Sequence, residues 1–159
     1  MKQQKQLPVI GWREQVALPD LGIKKVKAKI DTGARSSTLH AFDVETFDRA
    51  GKVIVRFKVH PYQRDVHCAV VTEAELFDQR LVRNSGGQAQ MRPVIQTTLK
   101  LDNYAFLIEL TLTNRDVMGF RMLLGRQAVR RRFLVDAGRS FLHSSTGSRK
   151  LKNKSQKQR

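Results

Sequence analysis

Apolar residues in this chain recur at every second position, in runs too short to be anything but strands. Between Lys52 and His60, Val53, Val55, Phe57 and Val59 fall on one face with polar residues between them. From Ile23 to Ile30, lysines at 24, 25, 27 and 29 interrupt the apolar residues in much the same way. A period of two sends successive side chains to opposite faces, so each run needs a sheet that shelters one side only. Turn signals separate the runs: Pro19-Asp20-Leu21-Gly22, Asp48-Arg49-Ala50-Gly51 and Leu101-Asp102-Asn103.

The pattern predicts roughly eight to ten short strands. Val9 to Trp12 and Val16 to Leu18 come before the first turn, and Ile23 to Ile30 returns as a hairpin partner. Thr38 to Phe47 reads as extended, Lys52 to His60 is stopped by Pro61, and Val66 to Thr72 is a further strand. Leu81 to Arg92 forms a mobile hairpin with Gly86 and Gly87 at its tip, and Pro93 to Lys100 pairs with Tyr104 to Thr113. One short helix, Arg126 to Arg132, follows Gly125; Phe133 to Asp136 and Ser140 to His143 are strand-like. The fold class is therefore mainly β, closed and barrel-like, with a single short helix near the C-terminus. A chain of 159 residues suits one domain, over residues 8–145, between an extension at 1–7 and a tail at 146–159.

Charge narrows the company such a domain keeps. Lys and Arg number 30 against 14 Asp and Glu, a net +16. Six of those charges fall in the last eleven residues, which hold no acid, no aromatic and no β-branched residue and read as disordered. The remaining +10 on residues 1–148 predicts acidic partners: an acidic peptide, nucleic acid or an anionic surface. No run approaches the ~18 apolar residues of a membrane span, and the patch from Leu7 to Gly11 is too short for a signal-peptide core, so a cytoplasmic setting is expected. The lone cysteine, Cys68, excludes an internal disulfide and reads as a core or sheet thiol. Trp12 reads as core packing, and Ser36 and Ser37 as hydrogen-bonding loop residues.

Chemistry concentrates in KIDTGARSSTLHA, from Lys29 to Ala41. Asp31-Thr32-Gly33 alone is compatible with an Asx-turn whose glycine has positive φ. Its surroundings give it another meaning: an apolar strand delivers Asp31, small residues follow, and much later MLLGRQAV places an apolar run before Gly125-Arg126 and a short helix. This order resembles the retropepsin half of the aspartic proteases. Together with RNSGGQAQMRPVI and FLVDAGRSFL, these blocks are similar to a bacterial family known as ATP-dependent zinc proteases, retropepsin-like in fold and associated with RimK-type ATP-grasp ligases.

The resemblance implies an aspartic peptidase. Such chemistry needs two carboxylates about 3 Å apart that share one proton, one acting on water and the other on the scissile carbonyl. With one Asp-Thr-Gly per chain, the second Asp31 comes from another copy, in a two-fold homodimer. The implied roles follow. Thr32 braces the pair across the axis, Gly33 lets an N–H approach the carboxylate, Ala34 leaves room, Gly125 permits a close strand crossing, and Arg126 braces the dimer. The Leu81–Met91 hairpin becomes a flap over the cleft. Arg35 stands where retropepsins often carry an acid. Turned inward it would favour two ionised carboxylates and oppose shared-proton chemistry; facing the cleft, with Arg83 and Arg92 flanking the flap, it would hold an acidic peptide; otherwise it is a solvated loop arginine. The association with ligases suggests a glutamate-rich protein tail as that peptide.

The residues give the zinc and ATP of the family's description no ligands. His40, His60, His67 and His143 have no i, i+4 pair, His67 and Cys68 point to opposite faces of a strand, and Asn84-Ser85-Gly86-Gly87 lacks the Gly-Lys-Ser/Thr of a phosphate loop. No metal or cofactor is expected. The rival reading is a non-catalytic basic β domain that binds nucleic acid or an acidic peptide. Against nucleic acid stands the lack of alternating aromatics; only Phe57, Tyr62 and Tyr104 are candidates for stacking on bases.

Overall fold

A computed structural model describes residues 6–62, 68–83, 86–114 and 119–143. In chain order the elements are β1 (Val9–Gly11), β2 (Arg13–Leu18), a 3-10 turn (Pro19–Leu21), β3 (Ile23–Asp31), β4 (Ser37–His40), β5 (Phe42–Arg49), β6 (Lys52–Val59), β7 (Val70–Glu75), β8 (Asp78–Arg83), β9 (Ala89–Leu101), β10 (Tyr104–Thr113), β11 (Met122–Gly125), α1 (Arg126–Val129) and β12 (Leu134–Asp136). Six strands close on themselves in the order β10, β4, β11, β3, β2, β9 and back to β10, and β8 extends the ring from β9. Closure leaves these six without a bare edge. β5, β6 and β7 form a separate antiparallel sheet, and β1 pairs in parallel with β12.

Alternation explains the core. Along β2 the burial pattern puts Glu14, Val16 and Leu18 inside; along β6, Val55, Phe57 and Val59 are wholly buried. Leu39, Ile95, Leu99, Leu110, Leu112, Met122 and Leu124 complete the interior from β4, β9, β10 and β11. β11, parallel to β3 on one side and antiparallel to β4 on the other, is buried at all four positions, so both of its faces are covered. In the three-stranded sheet, Arg49 and Arg56 both hydrogen-bond Glu73, Arg49 Nη1 to Oε2 at 2.6 Å and Arg56 Nη2 to Oε1 at 3.0 Å. The bond from Arg49 first, then that from Arg56, holds the Glu73 carboxyl below its ordinary range. Its contribution to stability is therefore present above the unfolded pKa and is lost as pH falls through the folded one.

Several expectations are corrected. Ser140 to His143 is not a strand: the Leu142 and His143 N–H groups go to the carboxylate of Glu14 rather than to a ladder. Pro93 does not divide two elements. It lies within the 13-residue β9, at a position paired to Gln79 of β8 but beyond the end of the β10 pairing, where a missing donor costs the sheet least. The flap hairpin starts at Asp78, three residues before Leu81, and the helix ends at Val129 rather than Arg132. Val53 is 39% exposed although it shares parity with Val55. β7 starts at Val70, with Val66 and His67 outside the described residues; Cys68 is exposed and lies before the strand, so it is no core thiol. Trp12 is half-buried, edge-on to Phe120 with the Arg13 guanidinium 4.7 Å from its ring centre.

Glu14 was not anticipated. It has no solvent exposure, and its Oε2 accepts N–H bonds from Gly11 (2.7 Å) and Leu142 (2.8 Å) while Oε1 accepts one from His143 (3.1 Å). A buried carboxylate is tolerated only when satisfied in this way, and here it knots the end of the described chain to its first strands. Glu14→Ala is expected to remove about 3 kcal/mol of stability, read as a lower urea midpoint with an unchanged slope. An unchanged midpoint would show that the knot is not holding the fold.

Candidate active site

β3 and β11 run side by side in parallel, and their last paired residues are Asp31 and Gly125. Asp31 is thus the final residue of β3, one position deeper in the strand than a loop beginning after Ile30 would place it. Its Oδ1 accepts the N–H of Gly33 at 3.0 Å and of Ala34 at 3.3 Å, while its carbonyl accepts the Ala34 N–H at 3.2 Å. Oδ2 accepts no hydrogen bond from the described residues. The carboxylate is half-buried, anchored through one oxygen and open at the other. The chain does make an Asx-turn here, but Gly33 is not at positive φ. Its role is space, because a Cβ would sit 3.2 Å from Asp31 Oδ1.

The loop after Asp31 is clasped from beneath. The Gly125 N–H donates to the buried Ser37 Oγ at 3.0 Å, the Arg126 N–H to Ala34 O at 2.7 Å, and the Gln127 N–H to Arg35 O at 3.1 Å. Arg126 also reaches Thr32 O through Nη1 at 3.4 Å, so within one chain it braces the loop directly. Gly125 has extended backbone; what it supplies is closeness, since a Cβ there would lie 2.5 Å from both the carbonyl carbon and oxygen of Ser36. Thr32, Gly33 and Arg35 are exposed and Ala34 is half-buried. Ser37, expected only as a loop serine, turns out to be the buried acceptor that ties β11 to β4.

The remaining expected site residues form a second group. The hairpin of β8 and β9 pairs Arg83 with Ala89, with Gly86 and Gly87 in its turn and Gly87 at φ +82°; Asn84 and Ser85 lie outside the described residues. Leu81 and Met91 are cross-strand partners, 59% and 54% exposed. Arg92 donates from Nη2 to Gln90 Oε1 at 2.9 Å and from both Nη atoms to Asn114 Oδ1 at 3.4 Å. β2 separates β3 from β9 in the ring. Asp31, Thr32, Gly33, Ala34, Arg35, Gly125 and Arg126 meet as one cluster, while Arg83, Gly86, Gly87 and Arg92 all lie on the β8–β9 hairpin. Among the described residues no three His, Cys, Asp or Glu side chains are grouped to hold a metal ion.

A family model described as the retropepsin-like aspartic endopeptidase RimB matches residues 9–146. The chain belongs to the RimB-like family. That description mentions neither zinc nor ATP. This RimB-like chain is also 45% identical over 128 residues, 80% of its length, to a protein of Desulfotalea psychrophila named "Probable alpha-L-glutamate ligase", and 42% identical over 133 residues, 84% of its length, to a Shewanella halifaxensis protein of the same name. It spans only 28% and 29% of those two relatives. Among solved structures it resembles a Legionella pneumophila protein of unknown function, with TM-score 0.72 and 27% identity over 87% of this chain and 99% of that one.

The clasp yields a prediction for this RimB-like fold. Gly125→Ala forces backbone against backbone and is expected to destabilise by about 2–4 kcal/mol, whereas Ser37→Ala, which strands one buried N–H, costs about 1–3 kcal/mol. Thermal melts of both variants check the order; a Gly125→Ala protein as stable as the parent would refute the close crossing.

Proposed function

We propose that this chain is an aspartic endopeptidase, active as a homodimer in the cytoplasm, that cuts acidic, glutamate-rich polypeptide. The observation that carries the reading is Asp31 itself, fixed through Oδ1 by two N–H groups at the end of a buried strand pair with Oδ2 left open. One such carboxylate cannot both activate water and protonate the scissile group, so a second Asp31 from another copy supplies the partner. The ionised carboxylate takes a proton from water as the water oxygen bonds to the carbonyl carbon, and the protonated one gives its proton to the carbonyl oxygen. Collapse of the tetrahedral diol returns that proton and breaks the C–N bond, the amine leaving protonated by the carboxyl that took the first proton. Thr32 and Gly33 are exposed, which supports docking by a partner loop.

Two independent facts support the substrate class. The body is strongly basic, with Arg35 beside the acid and Arg83 and Arg92 on the hairpin. A similar segment also occurs within longer proteins named "Probable alpha-L-glutamate ligase"; a peptidase in a chain with such a ligase is suited to trimming what the ligase adds. The hairpin, nearly all exposed along β8, serves as the lid. Among the described residues no helix is long and apolar enough to cross a membrane.

Asp31→Asn is expected to lower cleavage of oligoglutamate by about three orders of magnitude while leaving the fold intact, and mixing it with parent protein should poison activity through mixed dimers. Mass spectrometry of the products and sedimentation velocity check the two halves. Retained cleavage by Asp31→Asn ends the catalytic reading; full activity from a strict monomer ends the dimeric one.

Without ligand, the Gly86 and Gly87 amides should exchange with solvent within seconds, and an uncleavable acidic peptide should slow them. Protection already present in the free protein would argue against a lid.

A further inference from the structure

Beside α1, on the flank of the ring, lies a cavity of about 350 Å³ whose walls include Ser37, Leu107, Glu109, Gln127, Arg130 and Arg132. Its charge is built by a turn. Arg131 takes φ +65°, and the N–H groups of Arg132 and Phe133 both return to Val129 O, at 3.1 and 3.0 Å. That reversal sets Arg130 and Arg132 on the cavity wall. The Arg132 guanidinium is already oriented: its carbon lies 4.3 Å from the Phe106 ring centre, and Nη1 donates to Ala128 O at 3.3 Å. Glu109, the one acid in the wall, is neutralised by Arg80, whose Nη2 donates to its Oε2 at 2.7 Å. Two arginines therefore face the space with no uncompensated acid among the described residues of its wall. Leu107, 57% exposed, adds an apolar strip to the same wall.

The geometry points to a carboxylate exosite: we propose that this cavity receives a glutamate side chain of the acidic polypeptide, outside the Asp31 cluster. A planar guanidinium engages both oxygens of a carboxylate, and Leu107 covers the two methylenes behind it. Position favours a substrate residue over an unrelated ion. The Gln127 in the wall donates its N–H to Arg35 O, and Ser37 accepts the Gly125 N–H, so the cavity and the Asp31 loop share two residues of one hydrogen-bonded clasp. An extended chain held here by one glutamate would continue toward that loop. The inference takes only its ligand class from the peptidase reading; the cavity and its charge stand without it.

The test is binding, in the full chain carrying Asp31→Asn so that nothing is cut. A fluorescein-labelled oligoglutamate is titrated by anisotropy at low and moderate salt, with an oligoglutamine and a single-stranded oligonucleotide as the other arms. Arg130→Ala and Arg132→Gln are each expected to raise the oligoglutamate Kd roughly tenfold, Arg130→Lys only partly, and amide resonances of Ser37 and Gln127 should shift on adding the peptide. Because Arg132 packs on Phe106, the exposed Arg130 decides the matter if Arg132→Gln fails to fold. An unchanged Kd in Arg130→Ala, or shifts that avoid Ser37 and Gln127, overturns the exosite. Loss of oligonucleotide binding in the same variants without loss of oligoglutamate binding overturns it in favour of a nucleic-acid site. Failure of the parent to cleave any peptide would refute the peptidase reading and leave this result standing.

Discussion

The position of the Asp31 carboxylate depends on how closely β11 crosses behind its loop. The approach is possible only because residue 125 has no Cβ, and it brings three successive N–H groups, of Gly125, Arg126 and Gln127, to acceptors on residues 34–37. Those bonds fix the loop from below, and the loop in turn aims the Gly33 and Ala34 N–H groups at Asp31. A chain of short polar contacts thus converts the rigidity of a buried strand into the position of one carboxylate oxygen. The cavity beside α1 draws on the same clasp from its other side.

How much of this the sequence discloses depends on the range of the forces involved. Alternation in Ile23–Ile30 and Lys52–Val59 and the turn chemistry at Gly22 and Gly51 are local, and the hairpins they define are present. The Asp-Thr-Gly block and the later Gly-Arg could be matched to each other only through resemblance, since 94 residues separate Asp31 from Gly125 and no periodicity links them. Glu14 carries a signal in the sequence: it shares parity with Val16 and Leu18, so it occupies an inward slot where a charged side chain must find hydrogen-bond donors. Ser140 to His143 misled for the complementary reason. Its apolar residues suggested a strand, but its N–H groups answer to a carboxylate far away in sequence.

Basic character likewise means different things in different places. Arg49 and Arg56 are spent on Glu73, Arg80 on Glu109, and Arg13 lies between the rings of Trp12 and Phe141. A net charge counted along the chain sees none of this. Among the described residues, Arg35 on the acid's loop, Arg83 on the hairpin and Arg130 by the cavity are turned toward solvent and able to meet an outside anion.

The first and last strands have a consequence of another kind. β1 lies along β12, Leu134 donates its N–H to Pro8, and the residues that follow end on Glu14. The first and last described strands therefore lie side by side, like a loop pinched at its neck. A unit of that shape can be grafted into a longer polypeptide with both junctions on one patch of surface and its ring of strands untouched. That geometry is compatible with the way a similar segment makes up less than a third of the two ligase-named relatives: the portability of the domain is built into where its first and last strands meet.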